Sequence, residues 1–197
     1  MIPNSLPAIV LAAAASLILG WAAVSDIRKR IIPNVSVLAL LAVFLGWAVL
    51  VLGFGQPLLS ALAAAVIAFA VTFALYAFKV IGAGDSKLFA AAALFCGLGY
   101  LPLFALATVL AGGAIAAVSI ASRPRRAAVM LAMGGKGDWG RGIPYGVAIA
   151  IGAGVVMWGS IGGYVAPYRF AQRGPAQVSA HDLSKALQAP APPPAGR

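Results

Sequence analysis

Asp85 lies in the stretch Gly82-Ala83-Gly84-Asp85-Ser86-Lys87-Leu88, between two long apolar segments, Ala61 to Phe78 and Leu88 to Tyr100. A carboxylate at the edge of a membrane is costly and is a functional candidate by default. The two glycines ahead of it permit a tight turn and a close approach to another chain segment. A plainer reading also fits: Asp85 as the N-cap of the next helix and Lys87 as a snorkelling interfacial cation. A second carboxylate, Asp26, stands at the exit of the first apolar segment, within Ser25 to Asn34 (SDIRKRIIPN). Two carboxylates brought close together cannot both ionise cheaply, so one keeps its proton. The ionised member can then activate a water while the protonated member donates to a carbonyl oxygen. This is aspartic-peptidase chemistry, and it requires no metal and no cofactor. The alternative is two unrelated interfacial aspartates, each solvated or paired with a neighbouring Lys or Arg.

The elements that must position these residues are membrane helices. Of 197 residues, 62% are hydrophobic and only 9% are charged, against about a quarter charged in a soluble domain. Mean hydropathy is +0.99. The apolar runs are long and uniform, so an all-α, polytopic helix bundle of about six spans is expected over a barrel. Asp26, Asp85, Asp138 and Asp182 are the only acidic residues, set against 14 Lys and Arg for a net charge of +10. Positive-inside topology and anionic lipid headgroups account for most of that excess, so nucleic acid is not expected as a partner and membrane lipid is. Cys96 is the sole cysteine and His181 the sole histidine. A thiolate zinc site and an internal disulfide are therefore excluded.

Taken in order, Pro7 to Val24 is long enough to span, and Arg28-Lys29-Arg30 follows it. That asymmetry predicts a retained first helix with its N-terminus outside. Ser25 to Asn34 reads as a short cytoplasmic loop, with Asn34 as the N-cap of the second span, Val35 to Leu52. Leu58 to Phe78 is the third span and returns the chain to the side of Asp26. Ser86 to Ala121 is too long for one span; Gly97 to Pro102 offers a turn that divides it in two. Two spans also keep Arg123, Arg125, Arg126, Lys136 and Arg141 in the cytoplasm. The fourth span is then short and begins below the surface, at Asp85. Ile143 to Val165 is the sixth. Residues 1–166 form the membrane domain, and the Pro- and Ala-rich segment 167–197 is expected to be disordered.

Asp26 followed by Ile32-Pro33-Asn34, then Gly82-Ala83-Gly84-Asp85-Ser86-Lys87, then Ile143-Pro144-Tyr145-Gly146 ahead of a last span, resembles the type IV prepilin peptidase family of GxGD aspartic peptidases. The likeness runs from about Pro7 to Val165. The small size is similar to the branch that serves Flp (tight-adherence) pili. The resemblance implies that Asp26 and Asp85 are the catalytic pair. It also implies a prepilin substrate, cut at a short basic leader ahead of its hydrophobic helix, at the cytoplasmic face of a bacterial inner membrane. Gly82, Gly84 and Lys87 match the GxGD stretch, and Lys87 reads as a cation that favours ionised Asp85 or as a headgroup anchor. Pro33 and Asn34 read as shaping the loop that positions Asp26. Longer members carry a cysteine-paired cytoplasmic domain and also N-methylate the pilin; here the corresponding loop is only Ser25 to Asn34, so methyl transfer is not expected. Gly135-Lys136-Gly137-Asp138 also spells GxGD but has no apolar helix after it, and reads as a solvated loop.

Two readings from other classes stay open on the sequence alone. Membrane carboxylates also serve proton relays, as in a small proton-coupled transporter; against this, neither aspartate lies mid-span. A non-catalytic pilus assembly factor is the other.

Overall fold

The computed structural model describes residues 5–122 and 145–167, and these are helical with no strand among them. Helix α1 (Leu6–Lys29) is followed by α2 (Asn34–Trp47, extended by a π-helical turn Ala48–Leu52), α3 (Gln56–Ala77), α4 (Ala83–Ser122) and α5 (Tyr145–Ile161). The first four are long and apolar enough to cross a membrane, and α5 is a shorter apolar helix. The chain is an all-α membrane bundle.

Helix α1 runs five residues beyond the expected Val24 and takes Asp26 into its last turn. Hydropathy falls after Val24, but no glycine or proline interrupts the chain before Pro33, and Arg28 and Lys29 complement the C-terminal end of the helix dipole. The chain leaves through Arg30, which adopts a left-handed conformation and returns its N–H to the Asp26 carbonyl at 2.9 Å. Asn34 is the first residue of α2 rather than its N-cap. Pro33 holds the cap position in extended geometry, and its carbonyl accepts both the N–H and the hydroxyl of Ser36, at 3.0 and 2.7 Å.

Helix α3 ends in a Schellman arrangement. Val80 N–H reaches the Leu75 carbonyl, Lys79 N–H reaches that of Tyr76, and Lys79 takes φ 60°. That sharp stop leaves Ile81 and Gly82 to turn the chain into α4.

At 40 residues, α4 would be about 60 Å long if straight, twice the hydrocarbon core of a bilayer. Gly97 divides it, with φ 65° and ψ 173°. The rings of Phe89 and Phe104, on either side of the break, stack at 4.4 Å. Residues that far apart on one straight helix would lie about 22 Å apart, so the two halves fold back on each other as a hairpin. The described residues thus hold six apolar helical segments. The expected turn from Gly97 to Pro102 is narrower in the structure: the break is at Gly97, and Pro102 already lies inside the second half. At the break, Leu98 N–H is donated to Ser60 Oγ of α3 at 3.0 Å.

Packing relies on small residues, as it does where lipid removes most of the hydrophobic driving force. Ala8, Ala12, Ala15, Leu19, Ala22 and Ala23 make one buried stripe along α1, and Asp26 is its next member. Helix α5 lies along α1 and α4, and α3 lies along α4. At Gly152 of α5, an added Cβ would come within 3.0 Å of the Thr108 backbone nitrogen, so only glycine allows this approach to α4.

Candidate active site

Three helix ends converge around Asp26. The residue closes the buried stripe of α1 and is 7% exposed. From the start of α5, Gly146 N–H is donated to Asp26 Oδ2 at 2.8 Å. A carboxylate at a helix N-terminus meets unsatisfied backbone donors and the positive end of the dipole. The fit is close: a Cβ on Gly146 would stand 3.0 Å from Asp26 Oδ2, 3.1 Å from its Cβ and 3.3 Å from its Cγ.

Asp85 is held differently. Helix α4 begins at Ala83, so Asp85 is its third residue and not the cap itself. Its Oδ2 reaches back to accept the N–H of Gly82 at 3.2 Å, the reciprocal half of a capping box. Ser86 fixes the same turn by donating its hydroxyl to the Thr72 carbonyl of α3 at 3.1 Å. The charge of Asp26 acts on Asp85, and the Arg30 guanidinium acts on Asp26.

The remaining candidates fall around this pair. Gly82 supplies the donor to Asp85. Gly84 faces Ile32: a Cβ there would meet Ile32 Cβ at 3.2 Å. The loop after α1 therefore touches the GxGD turn through Ile32, the residue ahead of Pro33 and Asn34. Pro33 is half-buried at the start of α2 and Asn34 is exposed beside it. Lys87 is exposed, and residues two apart do not share a helix face, so it points away from Asp85. Among the described residues, no three of His, Cys, Asp or Glu come together as a metal site. Asp138 with its glycines, His181 and Asp182, and Ile143 and Pro144 lie outside the described residues.

A half-open cleft of about 580 Å³ lies between α3, the α4 hairpin and α5, with Asp85 in its wall.

The model of the type IV leader peptidase family matches residues 11–117. The chain belongs to this family. Neither a curated protein nor a solved structure matches it. Membership supports leader peptidase activity, and a prepilin substrate, in general terms. The matched stretch of this leader peptidase contains Asp26, the Ile32-Pro33-Asn34 loop and the whole GxGD turn. It stops short of α5, so the donor to Asp26 comes from outside it. Gly146 was visible in the sequence as part of Ile143-Pro144-Tyr145-Gly146, but nothing in a linear reading joins it to a residue 120 positions earlier.

Proposed function

We propose that this leader peptidase is an aspartic endopeptidase in which Asp26 and Asp85 work as one unit. On this reading it removes the short basic leader of Flp-type prepilins at the cytoplasmic face of a bacterial inner membrane. The observation that supports the reading is that the two carboxylates, from different helices, lie near enough for the charge of Asp26 to act on Asp85, and that each has one oxygen held by a backbone amide. The exposed cations Arg28, Lys29, Arg30, Lys79 and Lys87 gather at the same end of the helices, which supports a cytoplasmic orientation. The short connection between α1 and α2 supports the small, Flp-serving branch without methyl transfer. Residues 1–166 would be the peptidase unit and 167–197 a separate Pro- and Ala-rich tail.

The chemistry follows from a pair sharing one proton. The ionised carboxylate takes a proton from water as the water oxygen bonds to the scissile carbonyl carbon. The protonated carboxyl gives its proton to the carbonyl oxygen, forming a neutral gem-diol. Collapse of the diol breaks the C–N bond. One hydroxyl proton returns to a carboxylate and the leaving nitrogen gains a proton, which restores the shared-proton pair. Both anchoring amides donate to Oδ2, leaving Oδ1 of each aspartate for water and substrate. The pair titrates as a unit, so acid and base roles belong to the pair.

The test is the ratio of mature to precursor pilin in cells carrying single variants at matched expression. Asp26→Asn and Asp85→Asn should each abolish processing, and the double variant should be no worse than either, because either loss breaks the unit. Asp138→Asn should process near normally. Full processing by both Asp26→Asn and Asp85→Asn would rule out the aspartic mechanism.

A further inference from the structure

The turn that carries Asp85 is tied to α3 through the side chain that follows it. Ser86 is 2% exposed. Its hydroxyl is shared between two carbonyls, that of Thr72 in α3 at 3.1 Å and that of Gly82 at 3.3 Å. The Gly82 carbonyl also accepts the Ser86 N–H at 3.2 Å. On its other side, Gly82 donates its own N–H to Asp85 Oδ2. Gly82 is thus held at both of its backbone polar groups, at C=O by Ser86 and at N–H by Asp85. A continuous hydrogen-bonded route runs from the Thr72 carbonyl through Ser86 and Gly82 to the carboxylate. A serine inside a helix ordinarily turns its hydroxyl back onto a carbonyl of the preceding turn, which reaches nothing beyond its own helix. The bond to Thr72, 14 residues back and on another helix, is the part that local structure does not require. Thr72 contributes only its backbone to it, because its hydroxyl is donated within α3, to the Ala68 carbonyl at 2.7 Å.

We propose that Ser86 is a positioning residue for the hydrolytic reaction, its hydroxyl setting the orientation of Asp85 by locking the Gly82 turn onto α3. The proposal rests on the catalytic reading of Asp85 given above. The two anchoring amides differ in how firmly they are themselves held. Gly146, which anchors Asp26, belongs to the first turn of α5, against α1 and α4. Gly82 lies ahead of α4, in a turn whose glycines leave the backbone pliable. An amide in such a turn orients a carboxylate only as well as the turn is fixed. A Cβ on Gly82 would come within 2.9 Å of Asp85 Oδ2, so the carboxylate lies directly over this residue and a shift of Gly82 carries it along. Ser86 joins that turn to a helix that spans the membrane. A second hydrogen bond, from Leu98 N–H to Ser60 Oγ, joins the same two helices at the break in α4. The first half of α4 is therefore pinned to α3 at each end, and the pin at the Asp85 end is Ser86. With its hydroxyl engaged by two carbonyls, Ser86 acts through Gly82 and not on the substrate.

The experiment measures kcat and KM for a prepilin peptide with the full-length protein in nanodiscs, and the melting temperature of each variant. Ser86→Ala should lower kcat about tenfold and leave KM within about twofold, since a misaimed carboxylate impairs the chemical step and not binding. Its melting temperature should stay close to native, because the better helix propensity of alanine offsets much of the lost hydrogen bond. Ser86→Thr and Ser86→Val have the same shape and differ in the hydroxyl alone. Thr should hold kcat within about threefold of native, and Val should fall with Ala. Ser160→Ala removes a hydroxyl that is equally buried, on α5, where it is donated to the Met157 carbonyl at 2.9 Å, and should leave kcat unchanged. A native kcat in Ser86→Ala overturns the proposal. So does a loss that appears as raised KM, one that Thr restores no better than Val, or one that Ser160→Ala matches. An inactive Asp85→Asn beside a fully active Ser86→Ala overturns the role of Ser86 and leaves the catalytic reading standing. An active Asp85→Asn overturns the catalytic reading and the role of Ser86 with it.

Discussion

Gly146→Ala adds one methyl group where the structure has room for none. Its Cβ would meet three atoms of the Asp26 side chain at 3.0 to 3.3 Å. Asp26 cannot swing aside easily, because it is buried at the end of a stripe of alanines pressed against α5. Either the first turn of α5 lifts or the carboxylate rotates, and both lengthen the 2.8 Å hydrogen bond from Gly146 N–H. A hydrogen bond to a charged group contributes about 1.5–3 kcal/mol, and overpacking costs about 1–3 kcal/mol. Opposing these, alanine gains up to about 1 kcal/mol of helix propensity over glycine. Global stability should therefore fall by about 1.5–5 kcal/mol, the propensity gain offsetting only part of the cost. Catalysis has no such offset. Misplacing Asp26 by the loss of its anchor should lower kcat by about ten- to a hundredfold, at about 1.4 kcal/mol per factor of ten. The assay is single-turnover cleavage of a prepilin peptide by the purified variant, with thermal unfolding measured in parallel. Gly154→Ala on the same helix is the control, since its Cβ meets nothing within 4 Å, and it should cleave normally. If Gly146→Ala cleaves as fast as Gly154→Ala, the amide does not position Asp26 and the reasoning from its geometry is wrong.

Three further outcomes are expected. Gly152→Ala drives a methyl into the Thr108 backbone and the Phe104 carbonyl and should destabilise the bundle by about 1–3 kcal/mol, read as a lower melting temperature. Ser60→Ala removes the acceptor for Leu98 N–H at the α4 break and should cost about 1 kcal/mol; unchanged hydrogen exchange at Leu98 would show that another group takes over. The rate of leader cleavage against pH should be bell-shaped, with two apparent values that belong to the pair, and a flat profile across the carboxylate range would contradict a shared-proton mechanism.

How far the sequence reaches depends on the distance over which each contact acts. The six segments are legible because hydropathy is a local sum, and the division of α4 is legible because Gly97 and Gly99 offer a turn in an apolar run too long for one span, although only the structure shows that Gly97 is the one that takes positive φ. The burial of Asp26 is also written locally, in the spacing of Ala12, Ala15, Leu19 and Ala22 ahead of it. Helix ends are less legible. Hydropathy marks where lipid contact stops, whereas hydrogen bonding decides where a helix stops, and α1 continues past Asp26 for that reason. Lys79 in a left-handed cap runs against residue preference and is imposed by the turn that α3 must make into α4. The contacts between Gly146 and Asp26, and between Ile32 and Gly84, join distant or unlike motifs. They arise from packing of whole helices, which no linear pattern encodes.

The first half of α4, from Ala83 to the break at Gly97, is about 14 residues and so about 21 Å long. A bilayer's hydrocarbon core is about 30 Å. A segment that short cannot place both its ends at the membrane surfaces, and the mismatch is met by a local thinning of the bilayer or by a recess. Asp85 stands in the first turn of this segment, so the shortfall falls at the end that holds the proposed catalytic pair. Either response brings bulk water down to the carboxylates, and the reaction would be supplied with water by the membrane's deformation without a channel through the protein. Activity reconstituted in lipids of increasing chain length would then fall as the bilayer thickens around an unchanged enzyme.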